Sequence, residues 1–374
     1  MVSKGMLWWF AAGGLSLAAF GQNAQRPGGR LSTIAAIPND PLEMVTGPIQ
    51  VADTPASREA VLQLLARARS SYALRSAGRG YDLKITFTVN SGGQTDYDGA
   101  WEMEDLFDPA QGLRWTAKAA AGFAITGIFS NGMFYAHGTA TTIPLRLQEA
   151  RAALFDPIPS SESVDRELIR TSTGTFHGAP VTCVLLSSSG SDTTSTPGRR
   201  WEETEECIDP QSGLLQVHSQ VPGRYYAYDY SNGPQLGARL LPRNVIVAEA
   251  GKVVSRISVD SLRDLPAADP SLFVPTAEMK ESGRAIGMAA AQKISRVFGQ
   301  GPLTSGMTAR PVCVFGLVTA AGQLVEAHSL QPSDPNSPAA VEAAKRINFA
   351  PTAPLGAPLQ QHFVFIIEKF VTSQ

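Results

Sequence analysis

Five histidines, three cysteines and one dense acidic run are the residues of this sequence whose types could do chemistry. His137, His177, His218, His328 and His362 stand far apart and on different expected elements. His-Glu-x-x-His, Cys-x-x-Cys, Gly-x-Ser-x-Gly and phosphate-cradling glycine loops do not occur. Glu202, Glu203, Glu205 and Glu206 could ligate a metal or act as a carboxylate pair. On alternating faces of a strand they read instead as a solvated hairpin edge. No catalytic residue, metal ligand or cofactor is assigned, and the sequence reads as non-enzymatic.

The cysteines imply a different chemistry. Cys183 and Cys207 lie on consecutive expected strands joined by the Ser/Thr/Gly-rich loop Ser187–Gly198. A hairpin centred near Ser195 sets them opposite one another, within reach of a disulfide. Such a bridge stabilises a fold by roughly 3 kcal/mol in the chain-entropy view. The alternative is two separate buried thiols. Cys313 is left over and reads as a small buried hydrophobe.

A bridge needs an oxidising compartment, and the N-terminus supplies a route to one. Lys4 precedes an apolar run from Met6 to Phe20, and Ala19 and Gly21 stand at −3 and −1 of a cut after Gly21. Residues 1–21 therefore read as a signal peptide, since a membrane span needs about 20 apolar residues. The expected location is the periplasm or the exterior, with anchorage in the inner membrane if the segment is not cleaved. Residues 22–55 are rich in proline and glycine without a period and read as a flexible linker. The formal net charge of −2 over 374 residues gives no reason to expect nucleic acid or an anionic membrane as partner.

Two folded units are expected after the linker. The first, 56–279, opens with an amphipathic helix that Ser57 could cap, with Val61, Leu64, Leu65, Ala68 and Tyr72 at helical spacing. The period then switches to two: Leu83, Ile85, Phe87 and Val89 face one way from Asp82–Asn90. Further strands follow, with Asn131-Gly132 as a hairpin turn and two Asp-Pro-x-x-Gly turns at Asp108–Gly112 and Asp209–Gly213. A helical interlude covers Ile143–Arg170. Strands resume as single runs at Thr175–Ser187, Arg199–Ile208 and onward to Ser261. This order, closing on "LRDLPAADPSLFVP" at Leu262–Pro275, resembles the LolA/LolB-like lipoprotein-binding fold, an antiparallel half-barrel. The resemblance implies an apolar concave face, with Leu83, Ile85, Phe87, Trp101 and Trp115 placed to receive a lipid or acyl chain. A fully packed core is the alternative.

The second unit, 280–374, is expected to run helix (Arg284–Phe298), strand (Pro311–Thr319), a turn containing Gly322, strand (Leu324–Leu330), helix (Ser337–Ile347) and last strand (Leu359–Phe370). Val312 and Val314, Gly322, Ala340 and Ala343, Phe349 and Pro351, Gly356 and Pro358, and Phe370 follow one pattern in order. That pattern resembles the C-terminal domain of the TonB family of energy transducers. The α+β fold class expected is thus a LolA-like half-barrel followed by a small TonB-like sheet-plus-helix domain. The resemblance implies protein–protein coupling at the outer membrane, a partner such as an outer-membrane receptor adding a strand to an edge at Phe363, Val364, Phe365, Ile366 and Ile367. Both Pro311–Thr319 and the last strand are apolar on two faces, so each must be covered twice. The helix covers one face; the first unit, the preceding helix or a partner must cover the other. A carrier of a hydrophobic ligand, without energy coupling, is the alternative function.

Overall fold

The computed structural model describes residues 44–91, 98–139, 142–159, 164, 166–187, 198–265, 267–283, 285, 287–298, 307–351 and 361–373. The expected signal peptide and residues 22–43 of the expected linker lie outside them.

Alternation of apolar and polar residues builds a large antiparallel sheet from the first unit. Its strands are β1 (Met44–Thr46), β2 (Gln50–Val51), β3 (Tyr81–Val89), β4 (Gly99–Asp108), β5 (Gly112–Ala119), β6 (Ala124–Ser130), β7 (Met133–Gly138), β8 (Leu168–Phe176), β9 (Ala179–Ser187), β10 (Thr204–Ile208), β11 (Leu215–Val221), β12 (Arg224–Asp229), β15 (Asn244–Glu249) and β16 (Lys252–Asp264). A separate ribbon pairs β13 (Gln235–Leu236) with β14 (Arg239–Leu240). The main sheet runs β1-β8-β9-β10-β11-β12-β15-β16-β3-β4-β5-β6-β7, with β2 also on β8, and it is open between β1 and β7. The pairing of β16 with β3 joins the two halves of the unit.

Local chemistry explains the turns. Asn131 and Gly132 both have positive φ, 51° and 74°, the geometry that a two-residue hairpin needs. The Asp108 carboxylate accepts from the Ala110 and Gln111 amides, and Asp209 does the same for Gln211 and Ser212. The two Asp-Pro-x-x-Gly turns are thus one solution used twice.

Helix α1 (Pro55–Tyr72) buries Val61, Leu64, Leu65, Ala68 and Tyr72, the stripe read from the sequence. Its cap is Thr54, not Ser57; Ser57 sits one turn in and completes a capping box. Helix α2 (Leu145–Phe155) joins α1 on the same face of the sheet, and both share one core with Leu83, Ile85, Phe87, Trp101 and Trp115. None of those five is more than 2% exposed. Phe87 stacks on Trp101, and the Arg151 guanidinium lies 4.6 Å over Trp115. The residues expected to line an open face therefore fill a packed core, because large rings and two helices occupy the space.

Three expected boundaries move. Part of the 22–55 linker is β1 and β2, which pair with β8. Within the helical interlude α2 ends at Phe155, and Leu168–Phe176 is already strand. His177-Gly178, both at positive φ, break Thr175–Ser187 into the hairpin β8–β9.

The second sheet contains β17 (Gln292–Phe298), β18 (Met307–Val318), β19 (Leu324–Ser329) and β20 (His362–Ser373), in the order β17-β20-β18-β19. A short helix α3 (Ala277–Ser282) precedes it, and α4 (Ser337–Lys345) covers one of its faces. The expected helix at Arg284–Phe298 is replaced, over Gln292–Phe298, by a strand running parallel to β20. Pairing with the apolar strand β20 outweighs the moderate helix preference of this stretch.

Candidate docking edge and the charged seam behind it

Strand β20 alternates its apolar residues between two cores. Val364, Ile366 and Phe370 join Val312, Val314, Ala340, Ala344 and Phe349 on the α4 side. Phe363, Phe365 and Ile367 join Cys313, Phe315 and Leu317 with Leu145, Trp201 and Val221 of the first unit. The second cover that the two-faced strands require is thus the first unit. With β18 on one flank and β17 on the other, β20 is an inner strand. The expected docking edge at Phe363, Val364, Phe365, Ile366 and Ile367 is corrected accordingly: the chain's own β17 occupies it.

The outer strand beside β20 is β17. Its consecutive residues Ser295, Arg296 and Val297 are exposed, Val297 by 41%. Exposure of side chains on both faces marks the rim of a sheet. A groove of about 490 Å³ runs between β17 and the end of α4, lined by Ile294, Arg296, Ala343, Arg346 and Ile347. Beneath it the buried Glu368 carboxylate lies 3.6 Å from the Arg296 guanidinium, and burial raises its pKa against the pull of Arg296. On the other side of β17, Lys293 reaches the first unit, donating to the Glu202 carbonyl at 2.7 Å and to Thr204 Oγ1 at 2.9 Å. Burial, with Arg199 nearby, lowers its pKa to about 8.

A seam of buried charges fixes the C-terminal sheet to the first unit. Arg146 on α2 donates to Glu249 on β15 at 2.8 Å and to Glu326 on β19 at 2.6 Å, and pairs with Glu149 at 3.1 Å. Arg224 on β12 donates to Glu249 at 2.8 Å and to Glu149, and Tyr226 also donates to Glu149. His328 Nε2 lies 2.8 Å from Glu249. The Arg224 guanidinium sits 4.7 Å over the Phe315 ring and 5.1 Å over Phe363. Burial alone would raise the Glu249 pKa, yet Arg146, Arg224 and the His328 hydrogen bond hold it well below the usual carboxylate range. Glu249, Glu326 and His328 bring ligand atoms within 4.8 Å of one another. Arg146 donates to both carboxylates and Arg224 to Glu249, so the cluster is an ion-pair seam.

The acidic run is also not solvated. Glu203, Glu205 and Glu206 are buried, because Arg170, Arg199 and His218 meet them. Arg170 engages Glu203 through two hydrogen bonds of 2.6 and 2.7 Å, Arg199 holds Glu205 at 2.8 Å, and His218 Nδ1 lies 2.9 Å from Glu206. The Glu206–His218 pair has the form of an oriented base. Among the described residues, no hydroxyl or thiol hydrogen-bonds that ring. Nothing in the sequence marked Arg170, 33 residues from Glu203, as a partner, whereas Arg199 stands six residues from Glu205. Cys183 and Cys207 face each other across β9 and β10 and are bonded, while Cys313 is free and buried.

No family model matches the chain, and the search of curated proteins finds no match. The TonB-like resemblance of the last residues therefore gains nothing from either comparison. Among solved structures, the chain is similar to a LolA superfamily protein from Nitrosomonas europaea, with 11% identity, a TM-score of 0.35, and coverage of 57% of this chain and 96% of that one. MucB gives 12% identity and a TM-score of 0.28, covering 70% and 81%. The MucA/MucB complex of Pseudomonas aeruginosa gives 12% identity and a TM-score of 0.26, covering 70% and 81%. Likeness this distant carries no argument about function.

Proposed function

We propose that this chain is a non-catalytic cell-envelope protein that docks an extended segment of a partner protein on β17, the rim of its C-terminal sheet. The observation that supports this reading is the exposure of Ser295, Arg296 and Val297 in succession beside a groove. A sheet rim offers backbone N–H and C=O groups that an added strand can satisfy, and alternate side chains then enter neighbouring pockets. Export is supported by the signal-like Met6–Phe20 run and by the Cys183–Cys207 bond. The finer reading, coupling to an outer-membrane receptor, rests on the TonB-like order of residues from Val312 to Phe370, with the docking rim moved one strand outward. The carrier alternative needs an open apolar face, and the packing of Leu83, Ile85, Phe87, Trp101 and Trp115 weighs against it.

A photoreactive residue placed at Val297 tests the reading against one at Val325, which is 48% exposed on the opposite rim strand β19. Irradiated cells should give a protein adduct from position 297 and none from 325. Adducts from 325 alone, or from neither, would contradict it.

A further inference from the structure

We infer that the segment docking on β17 is acidic as well as apolar, its carboxylates meeting Arg296 and Arg346 while its apolar side chains enter the groove floored by Ile294, Ala343 and Ile347. This rests on the reading of β17 as the docking rim. The charge pattern of the groove carries it. Arg296 and Arg346 both line the cleft and both are exposed. The other charges close by are already engaged or muted. Lys345 is paired with Glu342 at 2.9 Å on the outer face of α4. Glu368 is buried and, at 3.6 Å, lies beyond hydrogen-bond distance of Arg296, leaving that guanidinium with donors to spare. Ile294 and Ile347 pack against the core on the α4 side, so the groove floor is continuous with a rigid apolar interior. A strand laid along β17 presents alternate side chains to the same face. A segment whose same-face positions, i and i+2, are in turn acidic and apolar therefore meets two guanidiniums and an apolar floor at once, and Arg binds carboxylates through paired N–H donors.

The test uses the full chain and three fluorescent octapeptides whose same-face positions are in turn valine and glutamate, valine and glutamine, or valine and lysine, with threonine at the positions between. The glutamate peptide should bind about fivefold more tightly than the glutamine one, as expected for exposed ion pairs. Arg296→Glu and Arg346→Glu should each abolish that preference and favour the lysine peptide, with unchanged circular dichroism. Equal binding of the glutamate and glutamine peptides, both crosslinked by a photoreactive residue at position 297, would overturn the acidic partner and leave the docking rim standing. Failure of all three peptides to bind at millimolar concentration would overturn both. Displacement of the glutamate peptide by palmitate, undiminished in the two arginine variants, would point to a fatty acid and also overturn the inference.

Discussion

Glu249 accepts hydrogen bonds from two guanidiniums and meets an imidazole, with almost no solvent to share the task. Neutralising it strands Arg146 and Arg224 in a dry seam. Glu249→Gln should therefore cost about 3–5 kcal/mol, read as a fall in the denaturation midpoint. Glu326 behaves differently. The seam contains Arg146 and Arg224 against Glu149, Glu249 and Glu326, so the guanidiniums are outnumbered by the carboxylates. Burial pushes the Glu326 carboxyl above its ordinary 4.5, with Arg146 opposing and Glu249 adding. A raised carboxyl contributes stability that is present below pH 4.5 and lost as pH rises through its folded value. Glu326→Gln should thus be neutral to stabilising at pH 7, and the difference should vanish near pH 4.5. The depressed Glu249 has the opposite sign: its contribution is present above pH 4.5 and fades in acid. Parallel urea titrations of both variants across pH check the pair. Such partnerships were invisible in the sequence, where Arg146 and Glu326 are 180 residues apart. The disulfide was legible because its cysteines flank one hairpin. Non-reduced peptide mapping should recover Cys183 joined to Cys207, and Cys183→Ala should lower stability by about 2–4 kcal/mol.

At the scale of elements, hydrophobic period decided most assignments and failed where two structures share one pattern. The stripe of α1 and the alternation of β3 were legible because one face of each is wet. Residues 292–298 have no such contrast: their structure follows from pairing with the apolar strand β20. The docking rim was misplaced for the same reason. The turn at Gly322 was legible, and the structure adds its cause. Gly322 has φ +84°, and an added Cβ would meet the Phe349 carbonyl oxygen at 2.2 Å. Gly322→Ala should destabilise by about 1–3 kcal/mol, since both the backbone conformation and the close approach to Phe349 and Pro351 are compromised. Thermal melts of the variant check this.

Over the whole molecule, the shared aromatic core and the ion-pair seam make the two sheets one mechanical body. That the C-terminal strands needed cover on two faces was legible; that the first unit supplies it was one of three open options. Trp101 and Trp115 lie in the core of the first unit and Trp201 in the core it shares with the C-terminal sheet, so fluorescence reports the first unit and that junction. Fluorescence and calorimetry should therefore coincide in one transition for the native chain and separate in Glu249→Gln, where the seam is broken. A rigid first unit leaves the outer rim as the surface from which a partner can be held. The most direct test of that role is amide hydrogen exchange across β17, in the free protein and in the complex isolated through the adduct at position 297. Outward-facing amides within Ser295–Val297 should exchange quickly in the free protein and slow markedly in the complex, while β19 is unchanged. Unaltered exchange in β17 with new protection in β19 would contradict the account.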